Sequence, residues 1–181
     1  MTASSPSPER CYEVFNLVER HVEDVYGLPV RIRDVPAPFT GDLDGAEIHV
    51  DYEESPENAL FILCHLFGHT VQWNLSARAR EIGTVIQSNP SPELMAELGE
   101  YEEEACRYSL ALLHRLGITD LDQWLSDFAR CDLAYLTHFY RTGEKRPFLS
   151  FWKSGEPVLE PLEIPPFEPQ RWISRWEGVV V

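Results

Sequence analysis

The sequence lacks the features that would place the chain in a membrane or in a secretory pathway. It has no run of about 18 consecutive apolar residues, which excludes a membrane-spanning helix. Residues 1–8 carry neither the basic nor the apolar region of a secretory signal. The four cysteines form no C-x-x-C pair, and each falls in a predicted helix, where we expect a reduced, buried thiol. These absences predict a cytoplasmic protein.

Basic residues are also scarce. The 181 residues include 30 acidic but only 15 basic side chains, which gives a net charge of −15. Such a charge repels a phosphate backbone, so we expect no direct binding of nucleic acid. The simplest interpretation of the acidic surface is solubility, and the alternative is a basic partner or a cation.

The hydrophobic pattern predicts one mainly helical α+β domain that spans residues 1–181. Residues 1–7 are predicted to be a disordered lead, 8–146 the core, and 147–181 an extended C-terminal wrap. Apolar residues recur at helical spacing in five segments, 8–26, 56–75, 77–87, 92–117 and 120–141. Alternating patterns predict two short strands, 30–33 and 46–51, on either side of a turn-rich segment at 41–45.

The C-terminal segment differs in composition from the rest of the chain. Six of the fourteen prolines lie at or after Pro147, interleaved with phenylalanine and tryptophan. Because proline interrupts helices and aromatic side chains favour burial, we expect an extended tail that packs over the helical body. A proline-rich ligand for a partner protein is the alternative interpretation.

Two histidines lie four residues apart in the apolar run of the 56–75 helix. This spacing places His65 and His69 one turn apart on the same helix face, so both ring nitrogens could reach one ion. Gly68 between them leaves room for a close approach by a neighbouring element. The alternative is a pair of core histidines that bond to the backbone or to each other.

A third ligand is predicted on the 92–117 helix. Its buried stripe follows alternating steps of three and four residues, and Glu102 is the one charged residue in that stripe. A carboxylate in a core stripe needs a partner, and a metal ion would satisfy it. The alternative is that Glu102 pairs with an arginine or lies at a wet helix edge. Glu103 and Glu104 are predicted to form an ordinary solvated acidic face.

Together these segments resemble the ImmA/IrrE family of zinc metallopeptidases. The resemblance rests on Leu63-Cys64-His65-Leu66-Phe67-Gly68-His69-Thr70-Val71, on Glu102-Glu103-Glu104-Ala105-Cys106, and on the order helix, small sheet, histidine helix, glutamate helix over residues 10–117. It implies a zincin-like fold with His65, His69 and Glu102 as zinc ligands, and Glu104 as a substitute for Glu102. Residues 118–181 have no counterpart in the resemblance.

The sequence departs from that family at Leu66. The family's H-E-x-x-H motif has a glutamate there, which serves as general base and acid in peptide hydrolysis. Leucine can do neither, and loss of such a group typically costs about 10²–10⁴-fold in rate. The resemblance therefore implies metal binding without ordinary peptidase activity. It also implies that Leu66→Glu would create peptide hydrolysis if the rest of the machinery persists.

The 120–141 helix offers candidates for a replacement catalytic group. Asp132 and Tyr135 lie on one face of it, with His138 about a turn further on. Packed over the site, Asp132 would act as a base and Tyr135 as a donor to a developing oxyanion. Alternatively, Asp132 forms a local salt bridge and Tyr135 is a core residue. Cys106 and Gln72 are predicted to lie next to the metal ligands.

Three functions remain open at this stage. The first is a divergent zincin-like enzyme that uses Zn²⁺ for hydrolysis or related Lewis-acid chemistry on a small-molecule or peptide substrate. The second is an inactive, metal-stabilised binding or regulatory module. The third is a redox enzyme with Fe²⁺, because two histidines and one carboxylate also form the ligand set of non-haem iron oxygenases. The sequence indicates no oligomeric state.

Overall fold

The computed structural model describes residues 5–36, 39–84 and 90–172. In these ranges it contains five α-helices, three β-strands and one turn of 3-10 helix at Phe148–Phe151: α1 Pro8–Tyr26, β1 Val30–Arg33, β2 Gly41–Leu43, β3 Ile48–Asp51, α2 Pro56–Leu75, α3 Ala77–Thr84, α4 Pro92–Arg115 and α5 Asp122–Thr142. The fold is α+β and mainly helical, as predicted. No helix in these ranges has both the length and the hydrophobicity to cross a membrane.

Some predictions fall partly on residues outside the described ranges. They concern residues 1–4 of the predicted lead, residues 85–87 of the predicted 77–87 helix, and residues 173–181 of the predicted tail.

A Ser-Pro pair sets the start of three helices. The hydroxyl groups of Ser7, Ser55 and Ser91 each accept the backbone N–H of the third residue that follows, at 3.2 Å. Each serine is followed by a proline, whose fixed φ suits the first helical position and whose missing N–H costs nothing there. This local chemistry explains why the starts of α1, α2 and α4 agree with the predicted ones.

The sheet has the order β1-β3-β2, with β1 parallel and β2 antiparallel to β3. Strand β2 was not predicted, because its residues read as part of a turn. It forms because the missing side chain of Gly41 lets the strand lie directly on α2. A Cβ at Gly41 would lie only 2.6 Å from Cγ2 of Ile62.

Helix α2 runs through the centre of the molecule. Every residue from Leu60 to Trp73 is buried, because α1, α4 and the sheet pack around it. Its closest neighbour is α4 at Gly68, where a Cβ would lie 2.1 Å from the carbonyl oxygen of Ala105. The predicted role of Gly68 is therefore confirmed, and this contact sets the distance between the two helices.

From Gly155 to Trp172 the tail has no helix or strand, and side chains of α5 and of the loop after β2 hold it in place. The Asp127 carboxylate accepts the N–H groups of Gly155 and Glu156 at 3.1 and 2.8 Å. Further along, Ser126 accepts the N–H of Leu159 at 3.0 Å, and Arg171 bonds to Asp44 at 2.7 Å. The described part of the tail thus lies against the helical body.

Candidate metal centre

Helix α2 presents the two histidines side by side. His65 and His69 are each about 1% exposed, and their Nε2 atoms lie 3.0 Å apart. The ring of His65 stacks on Phe61, with ring centroids 5.1 Å apart, and that of His69 stacks on Tyr101 at 4.3 Å. These aromatic contacts hold both rings with Nε2 pointing to one place.

Helix α4 brings a carboxylate to the same place. Oε2 of Glu102 lies 3.1 Å from Nε2 of His65 and 3.1 Å from Nε2 of His69. The close contact of Gly68 with Ala105, one turn from Glu102, makes this approach possible. His65, His69 and Glu102, the three predicted ligands, thus form a group that could hold a metal ion.

Hydrogen bonds around the group fix which ring nitrogen of His69 carries a proton. The amide nitrogen of Gln72 donates to the Tyr101 carbonyl at 2.9 Å and to the Glu104 carboxylate at 2.7 Å. The amide oxygen of Gln72 therefore faces Nδ1 of His69, at 2.8 Å, and needs a donor there. With its proton on Nδ1, the neutral ring has a lone pair on Nε2 that points at His65 and Glu102.

On the other ring, Nδ1 of His65 lies 3.4 Å from the buried thiol of Cys106. Gln72 and Cys106 were both predicted to lie beside the ligands, and both do. Groups that bond to the far nitrogen of a metal-binding histidine orient its ring and tune its basicity.

The donor set fits a divalent cation. Burial raises the pKa of the Glu102 carboxyl group, but the two histidine rings lower it by more, so its pKa lies below the usual value. This shift requires protons on the ring nitrogens that face Glu102; where Nε2 of His69 instead carries a lone pair, a cation between the two ligands would take the place of the proton. Ligands of tetrahedral zinc lie about 3.3 Å apart, so the donors, at 3.0–3.1 Å, need to separate only slightly.

Asp132 lies beside the group without belonging to it. Its Oδ2 atom is 4.0 Å from Nε2 of His65, and the residue is 5% exposed. The pKa of this carboxyl group is raised to about 7, mainly by burial and also by the charge of Glu102, whereas His65 lowers it. This position is near enough to the group for the predicted role of Asp132 as a base, which stays a prediction.

A cavity of about 740 Å³ opens next to this carboxylate. Both Asp132 and Tyr135 line it, as do Phe61, Phe128, Phe148, Leu149 and Trp152. His65, His69 and Glu102 do not line it, although Phe61 and Asp132 both lie against His65. Asp132 and Tyr135, the pair predicted on α5, therefore both line this cavity. Tyr135 lies further from the group, with its ring against Phe148 and Phe151.

His138 is not brought to the site. Its ring lies near Phe151, with centroids 5.4 Å apart, and its Nε2 is 3.3 Å from the hydroxyl of Thr142. His138 lies about one helical turn beyond Tyr135 and does not line this cavity.

Leu66 points away from the cavity. Its side chain is fully buried and packs against Gly41 of β2, in the interface between helix and sheet. A glutamate at this position would enter that apolar interface. The expectation that Leu66→Glu would create peptide hydrolysis is therefore replaced by an expected loss of stability.

Sequence reasoning missed several contacts of the site. Glu104 was assigned to a solvated face, but it bonds to Gln72 and helps to hold the amide that orients His69. Glu103 does lie at the surface and pairs with Arg130 at 2.9 Å. The aromatic supports Phe61 and Tyr101 carry no local signal, because their partners come from the tertiary fold.

The fold and the site thus define an α+β protein in which two buried histidines and one partly buried carboxylate form a group that could hold one metal ion. Comparison of the chain with models of protein families, with curated proteins and with solved structures finds no match.

Proposed function

We propose that this protein is a divergent, zincin-like metal-dependent enzyme that acts on a small substrate by hydrolysis or related Lewis-acid chemistry. The observation that carries the proposal is the triangle of Nε2 of His65, Nε2 of His69 and Oε2 of Glu102, with sides of 3.0–3.1 Å. The adjoining cavity has a volume in the range of small-molecule sites.

The division of roles follows from the positions of the side chains. A bound divalent ion would supply Lewis-acid polarisation of a substrate oxygen. Asp132, on the cavity wall and 4.0 Å from His65, accepts a proton from the attacking group and returns it to the leaving group. Tyr135, three residues further along α5, presents its hydroxyl to the oxyanion.

The proposed relation to the ImmA/IrrE family concerns the fold and the ligand set rather than the reaction. Leu66 contributes no acid–base group, and its side chain faces the sheet. The proposed proton-transfer group instead comes from α5, a segment outside the resemblance. This difference supports a substrate other than a peptide.

Metal analysis tests the proposed site. Elemental mass spectrometry of the purified chain should find about one zinc per chain, and His65→Ala/His69→Ala and Glu102→Ala should lose it. Glu103→Ala is the matched control, because that side chain pairs with Arg130 at the surface. Iron in place of zinc would favour the redox alternative, and wild-type protein that takes up no metal when zinc or iron is supplied would contradict the site.

A second candidate is a metal-stabilised binding module without catalysis. The observation that favours it is the enclosure of the ligands: both histidines are about 1% exposed, and neither lines the cavity. An ester and amide substrate panel separates the candidates. Turnover by the zinc-loaded chain that Asp132→Asn lowers about 10²-fold or more supports the enzyme. Metal binding with no turnover supports the module.

A further inference from the structure

The cavity beside Asp132 has an apolar wall made of aromatic side chains. Phe61 and Phe128 stack with centroids 4.1 Å apart, and Phe128 also contacts Phe148 at 5.3 Å and Trp152 at 5.7 Å. Tyr135 completes the wall through its contact with Phe148, at 5.9 Å. A wall of this kind binds flat, apolar groups, which stack on or pack edge to face against the rings.

A single buried carboxylate interrupts this wall. Asp132 is 95% buried, and its carboxylate accepts no hydrogen bond from any residue that the structure describes; its Oδ2 atom lies 4.0 Å from Nε2 of His65. The carboxylate oxygens are not among the fully enclosed atoms without a partner, so they keep access to the cavity, where a ligand N–H group would give them a donor.

The charges at the cavity favour a cation over an anion. Among the described lining residues, Glu54, Glu57 and Asp132 are acidic, and Arg146 is the only base. The net charge of −15 for the whole chain acts in the same direction. An anionic ligand would meet repulsion at both the rim and the carboxylate.

We propose that this cavity binds a small molecule with an aromatic or other flat apolar body and one protonated amine, which donates a hydrogen bond to Asp132. The ligand would compete with the substrate of the proposed function rather than be turned over, because Asp132 cannot serve as a general base while it accepts a hydrogen bond from an ammonium group; to this extent the inference rests on the proposed function. The aromatic wall selects the body of the ligand, and Asp132 selects the amine.

Titration calorimetry with phenethylamine, phenethyl alcohol and phenylacetate tests this proposal. The three probes share an aromatic ring and differ in the charge of the end group. With the full chain treated with a chelator, so that the amine cannot bind through a metal, we expect phenethylamine to bind at least about ten-fold more tightly than the alcohol. Equal or tighter binding of the alcohol or of phenylacetate, or no binding of phenethylamine, would overturn the proposal.

Substitutions in the cavity test which side chains cause the preference for the amine over the alcohol. Asp132→Asn should reduce the difference between amine and alcohol to about two- to three-fold, whereas Glu103→Gln, the matched change at the surface, should leave it intact. Phe148→Ala should weaken the binding of both probes and keep the preference. An unchanged preference for the amine in folded Asp132→Asn would overturn the role of Asp132. If that variant does not fold, the relative affinities of the three probes for the wild-type chain still test the proposal.

The titration also separates this inference from the proposed function. Amine binding by a chain that takes up no metal when zinc or iron is supplied would support the cavity ligand and contradict the metal centre. Zinc binding without amine preference, in either the metal-free or the metal-loaded chain, would contradict the ligand class alone.

Discussion

At the scale of single residues, the site depends on which atoms carry protons. The Gln72 amide is held by the Tyr101 carbonyl and by Glu104, so its oxygen requires a proton on Nδ1 of His69. This arrangement leaves Nε2 free to bind a metal without any change of tautomer. The ring is therefore prepared for its role by a residue that does not touch the metal position itself.

Gln72→Ala should lower metal affinity without removing a ligand. The substitution deletes the acceptor at Nδ1 of His69, and loss of such an outer contact typically costs about 10–100-fold in metal affinity. Competition titration with a chromogenic zinc chelator measures the change. Gln123→Ala on α5 is the matched control, because its amide bonds to Asp127 and Glu156 rather than to the ligands. Equal zinc affinity in Gln72→Ala and wild type would show that the amide does not orient His69.

Leu66→Glu should destabilise the fold rather than create a peptidase. The side chain is fully buried against Gly41, so a glutamate there would place its charge in the apolar interface between α2 and the sheet, which should cost about 3 kcal/mol or more. Urea unfolding measures this loss, and Leu66→Met, which keeps volume and polarity, should cost less than about 1.5 kcal/mol. A stable Leu66→Glu protein that cleaves peptides would instead restore the interpretation based on the H-E-x-x-H motif.

At the scale of elements, the candidate metal centre lies between two helices. His65 and His69 lie on α2 and Glu102 lies on α4, so the ligand triangle keeps its size only while the helices keep their separation. The contact of Gly68 with the Ala105 backbone sets that separation. Ser109 adds a second connection, since its hydroxyl lies 2.8 Å from the Cys64 carbonyl on α2.

Gly68→Ala should therefore lower both stability and metal affinity. The new Cβ would lie 2.1 Å from the Ala105 oxygen, and because these are backbone atoms no side-chain rearrangement can relieve the clash. Overpacking of this kind typically costs about 1–3 kcal/mol. Gly99→Ala on α4 is the matched control, because its Cβ would lie 3.8 Å from Leu133 of α5, an ordinary van der Waals contact.

Urea unfolding and zinc titration of these two alanine variants check the prediction. We expect Gly99→Ala to be neutral or stabilising, because glycine inside a helix costs about 0.5–1 kcal/mol relative to alanine. If both variants behaved alike, the separation of α2 and α4 would not depend on Gly68.

The tail is the other element whose attachment can be tested. Asp127 is buried and holds the N–H groups of Gly155 and Glu156, just after the segment that forms one wall of the cavity. Asp127→Ala leaves these groups without an acceptor and should cost about 1–3 kcal/mol. Hydrogen-exchange measurements on Asp127→Ala should show faster exchange at the amides of Gly155 and Glu156. Glu156→Ala keeps the backbone contacts, so it should leave the exchange rates of both amides unchanged.

The elements also show what local sequence can and cannot predict. Ser-Pro pairs and apolar periodicity predicted the helices closely, because capping and amphipathic spacing are local signals. Strand β2 was missed because it exists only through its pairing with β3 and its packing on α2. The ligand triangle was predicted because helical spacing alone marks His65, His69 and Glu102, whereas the stacking of Tyr101 and Phe61 depends on contacts between distant segments.

At the scale of the whole molecule, the metal position lies where the main helical elements meet. Helix α2 carries two ligands and packs on the sheet and α1, α4 carries the third ligand, and α5 brings Asp132 against His65. An ion bound there would connect α2 to α4, and it would relieve the repulsion between the carboxylate of Glu102 and the lone pair of His69. Metal binding should therefore stabilise the native state as a whole.

Removal of the metal should lower the melting temperature of the entire chain. At a free zinc concentration of 100 times Kd, binding to the native state adds about 2.7 kcal/mol, which for a chain of this size corresponds to a rise in Tm of roughly 5–10 °C. Differential scanning calorimetry with and without excess chelator measures the difference. His65→Ala/His69→Ala should melt at one temperature in both conditions, because it has lost the site, whereas Glu103→Ala should behave as wild type. A wild-type Tm that does not respond to zinc or to the chelator would mean that the triangle holds a proton in place of a metal. The carboxylate of Glu102 and the two histidine rings would then form a structural hydrogen-bonded cluster.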